Sequence, residues 1–405
     1  MSLNNIPSSE RIHIGIFGNR NSGKSSLINS LTGQRLSIVS DTPGTTTDPV
    51  IKAMEILPLG PVVIIDTPGI DDIGKLGDLR IEKSYNVLNK TDIAILVVDI
   101  TKGFTNENKN FLKIIKEKKI PYIVVINKTD LKSCPNFDKQ IEELQLNSND
   151  IIKVSVLKRE NIFKLKEKIA NILPEEEKQK RIIGDLINPG DLIVLVVPVD
   201  NSAPKGRLIL PQQQTIRDIL DSNAISIVVK ETELESTLNK IGCKPSLVIT
   251  DSQVFEKVSA IIPKTIPLTS FSILFARYKG NLKDTVNGAI ELDNLEDGDK
   301  ILISEGCSHH RQCDDIGSVK LPKWITEYSG KKLDFYFSGG NDFPIDLEKY
   351  KIIIHCGGCT LNDKEMKYRI KCANDKHVPI TNYGMAIAHM NGILSRSIEL
   401  FKRIE

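Results

Sequence analysis

Two groups of residues in this chain have the types and spacing to do chemistry. The first is Cys307-Ser308-His309 followed, after residues 310–354, by His355-Cys356-Gly357-Gly358-Cys359. Its soft thiolates suit zinc or an iron–sulfur cluster. Zinc would take His309 or His355 as a fourth, tetrahedral ligand. A four-iron cluster on these thiols would leave one iron without a cysteine. Glu305, two residues before Cys307, can offer a labile carboxylate oxygen there, and Cys313 is read as a free thiol outside the pattern.

The second group opens near the N-terminus with Gly18-Asn19-Arg20-Asn21-Ser22-Gly23-Lys24-Ser25, followed by Ser26 at the start of a helical stretch. Glycines let backbone N–H groups wrap phosphates, Lys24 reaches the outer phosphates, and the Ser25 hydroxyl ligates Mg²⁺. Asp66 and Gly69 come from Asp66-Thr67-Pro68-Gly69; the carboxylate can hold Mg²⁺ through water, and the Gly69 N–H can meet a γ-phosphate. Gly44-Thr45-Thr46-Thr47-Asp48 can offer Mg²⁺ a threonine. In Asn127-Lys128-Thr129-Asp130, Asp130 can accept the N1–H and N2 amino donors of guanine, which adenine lacks. These motifs fall in the order that a guanine nucleotide site requires.

Short apolar runs must position both groups. Arg11–Phe17, Val62–Ile65, Ile93–Asp99, Tyr122–Ile126 and Ile151–Val154 read as strands ahead of the nucleotide motifs. Lys300–Ser304 and Lys351–Ile354 read as strands ahead of the cysteines, with Leu333–Phe337, Val378–Thr381 and a helix Met385–Leu394 beside them. Ligand sites in open α/β sheets gather at the carboxyl ends of strands. Between the two groups, strand-like Leu192–Val197, Ile225–Val229 and Ser246–Thr250 alternate with helical stretches, which implies a small parallel α/β domain. It carries no catalytic constellation, so homodimerisation is its expected role. There Gln212-Gln213-Gln214 is expected to be a solvated helix start and Cys243 a packed thiol. The expected fold is therefore α/β throughout, in three domains that each hold a mostly parallel sheet flanked by helices: 1–174, 175–268 and 269–405. The charged stretch Pro174–Lys180 marks the first boundary.

Composition narrows the function classes. The 405 residues are 40% hydrophobic and 26% charged, with a net charge of +2. That is ordinary for a globular chain, and it gives no footprint for nucleic acid or for an anionic membrane. No apolar run approaches the roughly 20 residues that span a bilayer. The polar start Met1–Glu10 lacks the form of a signal peptide, and an odd count of 7 cysteines favours reduced thiols over a disulfide framework. A cytoplasmic protein is expected.

The segment Arg11–Leu173 resembles the translation-factor-like GTPases that include the tRNA-modification (TrmE) and Era-type proteins. That resemblance implies phosphate contacts from Asn21, Ser22, Gly23, Lys24, Ser25 and Ser26, Mg²⁺ at Ser25, Thr46 and Asp66, and guanine contacts from Asn127, Lys128, Asp130 and Ser155. Val156 stands where alanine is usual. It also implies a potassium ion beside Asn21. Ile70-Asp71 replaces the glutamine that orients the attacking water in Ras-like enzymes, so slow, potassium-stimulated GTP hydrolysis is expected.

The C-x-H…H-C-x-x-C pattern behind such a GTPase domain resembles the HydF family of [FeFe]-hydrogenase maturation GTPases across essentially the whole chain. The resemblance implies a scaffold whose Cys307, Cys356 and Cys359 hold a [4Fe–4S] cluster, with Glu305, His309 or His355 as a fourth or supporting group. It further implies transient carriage of a diiron subcluster to apo-[FeFe]-hydrogenase and partnership with the radical-SAM maturases HydE and HydG. A rival expectation is a TrmE/Era-like GTPase in RNA modification or ribosome assembly with a zinc-stabilised C-terminal domain. An electron-transfer enzyme would want a four-cysteine site, which this spacing does not offer.

Overall fold

Short, nearly continuous apolar runs build the first sheet. The structure, a computed structural model, describes residues 8–32, 50–56, 59–71, 83–173, 180–198, 208–280, 282–306, 315–340 and 343–403. The chain divides into two compact units, Met1–Gln179 and Lys180–Glu405.

In the first unit the strands are β1 (Ile12–Gly18), β2 (Val50–Ile56), β3 (Gly60–Asp66), β4 (Ile93–Asp99), β5 (Tyr122–Asn127) and β6 (Ile151–Lys153), in the order β2-β3-β1-β4-β5-β6. All neighbours are parallel except the antiparallel pair β2 and β3. Successive side chains face opposite sides of a strand. Ile14, Val62, Ile64, Ile93 and Ile95 therefore fill one core layer, and Val63, Ile65, Ala94, Leu96 and Val98 the other. Burial on both faces explains why β4 is apolar almost without interruption. The sequence reading had no strand at β2, because Lys52 and Glu55 break its apolar run; on this sheet edge, exposed and half-buried residues alternate instead.

The second unit contains two four-stranded parallel sheets. One holds β7 (Leu192–Val196), β8 (Ile225–Val229), β9 (Leu247–Thr250) and β10 (Leu268–Ser270), ordered β10-β9-β7-β8. The other holds β11 (Lys300–Glu305), β12 (Asp334–Gly339), β13 (Ile352–His355) and β14 (Ile380–Asn382), ordered β12-β11-β13-β14. Helix Tyr383–Met390 links their cores, with Met385 and Ala388 in one and Ala386 and Ile387 in the other. Apolar contact on both sides is why this helix carries almost no charge. The single helix expected over Met385–Leu394 is instead two, because Gly392 at φ +68 ends the first before Leu394–Ile398 begins.

Two expectations in the middle sheet are corrected. Gln212 is buried, and its Oε1 accepts the Ile209 N–H at 3.1 Å, capping helix Leu210–Asp221. Cys243 is exposed, because Gly242 turns the chain outward at the end of helix Leu234–Ile241. Among the described residues, no helix is long and apolar enough to cross a membrane.

Candidate functional site

The phosphate loop runs from the end of β1 into helix Lys24–Thr32. The buried Lys24 donates to the Gly18 and Asn19 carbonyls at 2.8 and 2.9 Å, which holds its ammonium across the mouth of the loop. Ser25 Oγ donates to Asp66 Oδ2 at 2.9 Å, so the hydroxyl and carboxylate expected to serve Mg²⁺ do meet. A Cβ built on Gly23 would lie 2.2 Å from Asn127 Nδ2, and the residue sits at φ +96. Only glycine lets that loop close over the base-reading strand end. Ser22 Oγ is buried without a hydrogen-bond partner among the described residues, as a phosphate-facing hydroxyl would be.

The base-reading residues converge from two strand ends. Asn127 Nδ2 donates to the Ser22 carbonyl at 3.0 Å, and its Oδ1 accepts the Val156 N–H at 3.3 Å. Ser155 Oγ donates to Asp130 Oδ1 at 2.5 Å, and this bond holds the Asp130 carboxyl below its ordinary pKa, poised as an acceptor. Lys128 Nζ reaches the Asn21 carbonyl at 2.8 Å and Asp99 Oδ2 at 2.5 Å. Asp99 was missed from sequence, although its place at the end of β4 was a usable signal. Burial works to raise its pKa, but hydrogen bonds from Lys128 and Thr101 outweigh that and lower it. Also missed was a clasp on the loop itself: Asn19 Nδ2 donates to Thr105 Oγ1 and Asn108 Nδ2 to Asn19 Oδ1, both at 2.9 Å. Gly69 follows β3 and packs against Arg20, whose N–H donates to Asp71 Oδ1 at 2.7 Å. Asn21 is exposed at φ +58, Ser26 lies in the first turn of the helix, and Thr46 lies outside the described residues.

The second candidate site forms where β11 and β13 end side by side, with Ser304 opposite His355. Cys356 N–H donates to the Ser304 carbonyl at 2.8 Å. Its Sγ accepts the Gly306 N–H at 3.0 Å and the Gly358 N–H at 3.4 Å. Thr360 Oγ1 donates to the Gly306 carbonyl at 2.9 Å, closing the loop that carries Cys359 against the end of β11. Lys279, buried at the end of helix Phe271–Lys279, donates to the Gly358 and Leu361 carbonyls at 3.1 and 2.8 Å. Glu305, the last residue of β11, accepts the Tyr383 hydroxyl at 3.1 Å. Burial, with the charges of Cys356 and Glu305 close by, raises the Tyr383 pKa well above its usual range, so the phenol keeps its proton.

His355 is fully buried, and both ring nitrogens are engaged. Arg369 Nη1 lies 3.0 Å from Nε2, and since guanidinium can only donate, Nε2 is the acceptor. The proton then sits on Nδ1, 2.7 Å from the Cys356 carbonyl. Burial first, and Arg369 second, lower the His355 pKa to about 3, so the ring is neutral. Arg369 is itself 1% exposed, paired with Glu365 at 3.0 Å and bonded to the Gly340 carbonyl at 2.6 Å. The i,i+4 spacing of Glu365 and Arg369 was visible in the sequence, their burial was not. Cys307 and His309 lie outside the described residues, and among those described no group of His, Cys, Asp and Glu is gathered for a metal ion. Cys356 nonetheless fits one: a sulfur that accepts two backbone N–H groups is set up as a thiolate, the form that binds metal.

The fold and the nucleotide motifs define a P-loop GTPase, which binds GTP with Mg²⁺. A model described as a 50S ribosome-binding GTPase matches residues 13–128, the hydrogen maturase F dimerization domain matches 182–280, and the hydrogen maturase F tetramerization domain matches 283–400. The chain belongs to the hydrogen maturase F family, and with it come oligomerisation domains and a setting in hydrogenase maturation.

The curated GTPases that the chain resembles match less than half of its length. It is 37% identical over 161 residues, 40% of this chain and 34% of the relative, to the tRNA modification GTPase MnmE of Desulforamulus reducens. It is 35% identical over 185 residues, 44% of this chain and 38% of the relative, to GTPase Der of Wolinella succinogenes. With GTPase Era of Borrelia garinii the identity is 33% over 157 residues, 38% of this chain and 54% of the relative. The chain thus spans about a third to a half of the length of the curated relatives it matches.

Proposed function

We propose that this chain is a GTP-binding scaffold that holds a [4Fe–4S] cluster, receives a diiron subcluster and delivers it to apo-[FeFe]-hydrogenase. Cys307, Cys356 and Cys359 would hold the cluster, whose remaining iron, when bound, supplies an exchangeable coordination position. Glu305 is the candidate labile ligand there. His355 serves as support, because both its nitrogens are spent on Arg369 and the Cys356 carbonyl. The observation that carries this reading is the Cys356 sulfur accepting N–H groups from Gly306 and Gly358, since such bonds favour a bound thiolate and tune a cluster.

In this reading residues 1–174 bind GTP through Asn21–Ser26, Thr46, Asp66, Gly69, Asn127, Lys128, Asp130 and Ser155. Hydrolysis is slow and stimulated by potassium held beside Asn21. Residues 175–268 serve dimerisation and 269–405 bear the cluster. The radical-SAM maturases HydE and HydG are the donors' side of the exchange, and GTP would alter partner affinity through segments 40–50 and 70–80. Release from those partners should then lose its GTP dependence in Lys24→Ala.

Anaerobic reconstitution with iron and sulfide tests the scaffold. EPR of the reduced protein should show a [4Fe–4S] signal that shifts with imidazole or cyanide and disappears in Cys356→Ala. Uptake of one zinc and no iron would defeat the proposal in favour of an RNA-linked GTPase with a zinc-stabilised C-terminal domain.

A further inference from the structure

We infer that Tyr383 is a positioning residue for Glu305: its hydroxyl holds the carboxylate when that carboxylate is off the metal, and so sets how readily an outside donor takes the open position. This rests on the reading of Glu305 as a labile ligand.

The geometry is specific. Tyr383 Oη donates to Glu305 Oε1 at 3.1 Å. Both residues stand at strand ends, Glu305 closing β11 and Tyr383 following β14, so their backbones are held by two strands of one sheet. Asn382 Oδ1 accepts the Met385 N–H at 2.8 Å, which fixes the helical turn that carries the phenol. A third element closes over the pair. A Cβ on Gly317 would lie 2.2 Å from Tyr383 Oη and 2.5 Å from Glu305 Oε1. Asp315 Oδ2 accepts the Ser318 N–H at 2.7 Å and holds that glycine in register. The residue after Glu305 is Gly306, whose N–H is bound to Cys356 Sγ. The Glu305 backbone is thereby anchored one residue from the thiol, and its carboxylate is within reach of the phenol.

Exchange on this scheme is simple substitution. With a cluster bound, an incoming lone pair would take the position the carboxylate leaves, with no electron transferred, while the proton stays on Tyr383 Oη and is shared only as a hydrogen bond to Glu305. Without the hydroxyl, the displaced carboxylate loses a charge-assisted hydrogen bond in a half-buried site, and displacement becomes harder.

The test is an imidazole titration of the anaerobically reconstituted full chain, read by EPR of the reduced cluster, in wild type, Tyr383→Phe, Glu305→Ala and the double variant. Tyr383→Phe should weaken imidazole binding about ten- to a hundredfold, the range for a hydrogen bond to a charged group. In the Glu305→Ala background the same change should have no effect. Gly317→Ala, which forces the pair apart, should reproduce the weakening if Tyr383→Phe loads iron poorly. Equal imidazole affinity in wild type and a loaded Tyr383→Phe overturns the inference. So does an equal loss with and without Glu305, which would mark Tyr383 as merely structural. A Glu305→Ala protein with an unchanged ligand-free spectrum and unchanged affinity would instead bring down the ligand reading beneath it.

Discussion

The Gly306 N–H donates to Cys356 Sγ at 3.0 Å. That bond fastens the end of β11 to the thiol after β13, and the same glycine is wedged against the far side of the cysteine loop. A Cβ on Gly306 would lie 2.7 Å from Leu361 Cγ, whose residue is buried and whose carbonyl is held by Lys279. Gly306→Ala should therefore displace the loop and cut reconstituted iron per chain severalfold. Guanine nucleotide affinity should stay at the wild-type value. Colorimetric iron analysis beside a fluorescent GDP titration checks both halves, and full iron loading would refute the prediction.

Arg369 and Glu365 form a buried ion pair, and removing one partner leaves an uncompensated charge. Arg369→Met should destabilise the second unit by about 3–5 kcal/mol. Arg369→Met with Glu365→Leu should recover part of that loss, because no lone charge remains, while His355 Nε2 and the Gly340 carbonyl still lose their donor. Urea unfolding measures the cycle, and a single variant as stable as wild type would show the pair to be dispensable.

Closure of the phosphate loop depends on the missing side chain at Gly23. Gly23→Ala must both strain φ +96 and push Asn127 Nδ2 from a 2.2 Å approach. Guanine nucleotide binding should weaken by at least about tenfold, equivalent to about 1.4 kcal/mol. Isothermal titration with GDP reads this directly, and unchanged affinity would mean that the loop closes differently when loaded.

Acid should unpick the Asp99–Lys128 contact. The folded-state pKa of Asp99 is lowered, so its contribution to stability is complete above the ordinary carboxylate value of about 4 and fades as pH falls through the depressed folded value. Asp99→Asn should be less stable than wild type at neutral pH, and that gap should narrow on acidification below about pH 4. Chemical unfolding across the range tests it; a constant gap would exclude the titration of Asp99 as the cause.

Potassium dependence would identify the role of Asn21. Its carbonyl takes Lys128 Nζ at 2.8 Å and the residue is exposed at φ +58, so its amide is free of packing constraints. GTP turnover should be faster in potassium than in sodium at equal ionic strength, and Asn21→Ala should erase the difference without abolishing binding. Equal rates in the two salts for wild type would remove the ion from the mechanism.

The nucleotide motifs were legible because each is a contiguous strand–loop–helix or strand–loop unit, whose glycines, lysine and carboxylates do their work where the chain puts them. The same holds for the apolar runs that became β4, β5, β11 and β13, since burial on two faces demands residues of one kind in sequence. β2 escaped because an edge strand shares its pattern with ordinary surface loops.

What the chain alone offered was the inventory: a phosphate loop, the Asn127-Lys128-Thr129-Asp130 strand end, and cysteines in a C-x-H…H-C-x-x-C pattern. Only the tertiary structure decided their supports. Asn19 with Asn108, Asp99 with Lys128, Glu305 with Tyr383, and His355 with Arg369 each meet across different elements of the fold. Those meetings follow from strand order and register, such as Ser304 standing opposite His355. A period-two apolar pattern says which face of a strand is buried, but it is the same for every neighbour the strand might take, so the partners emerge only when the sheet is assembled.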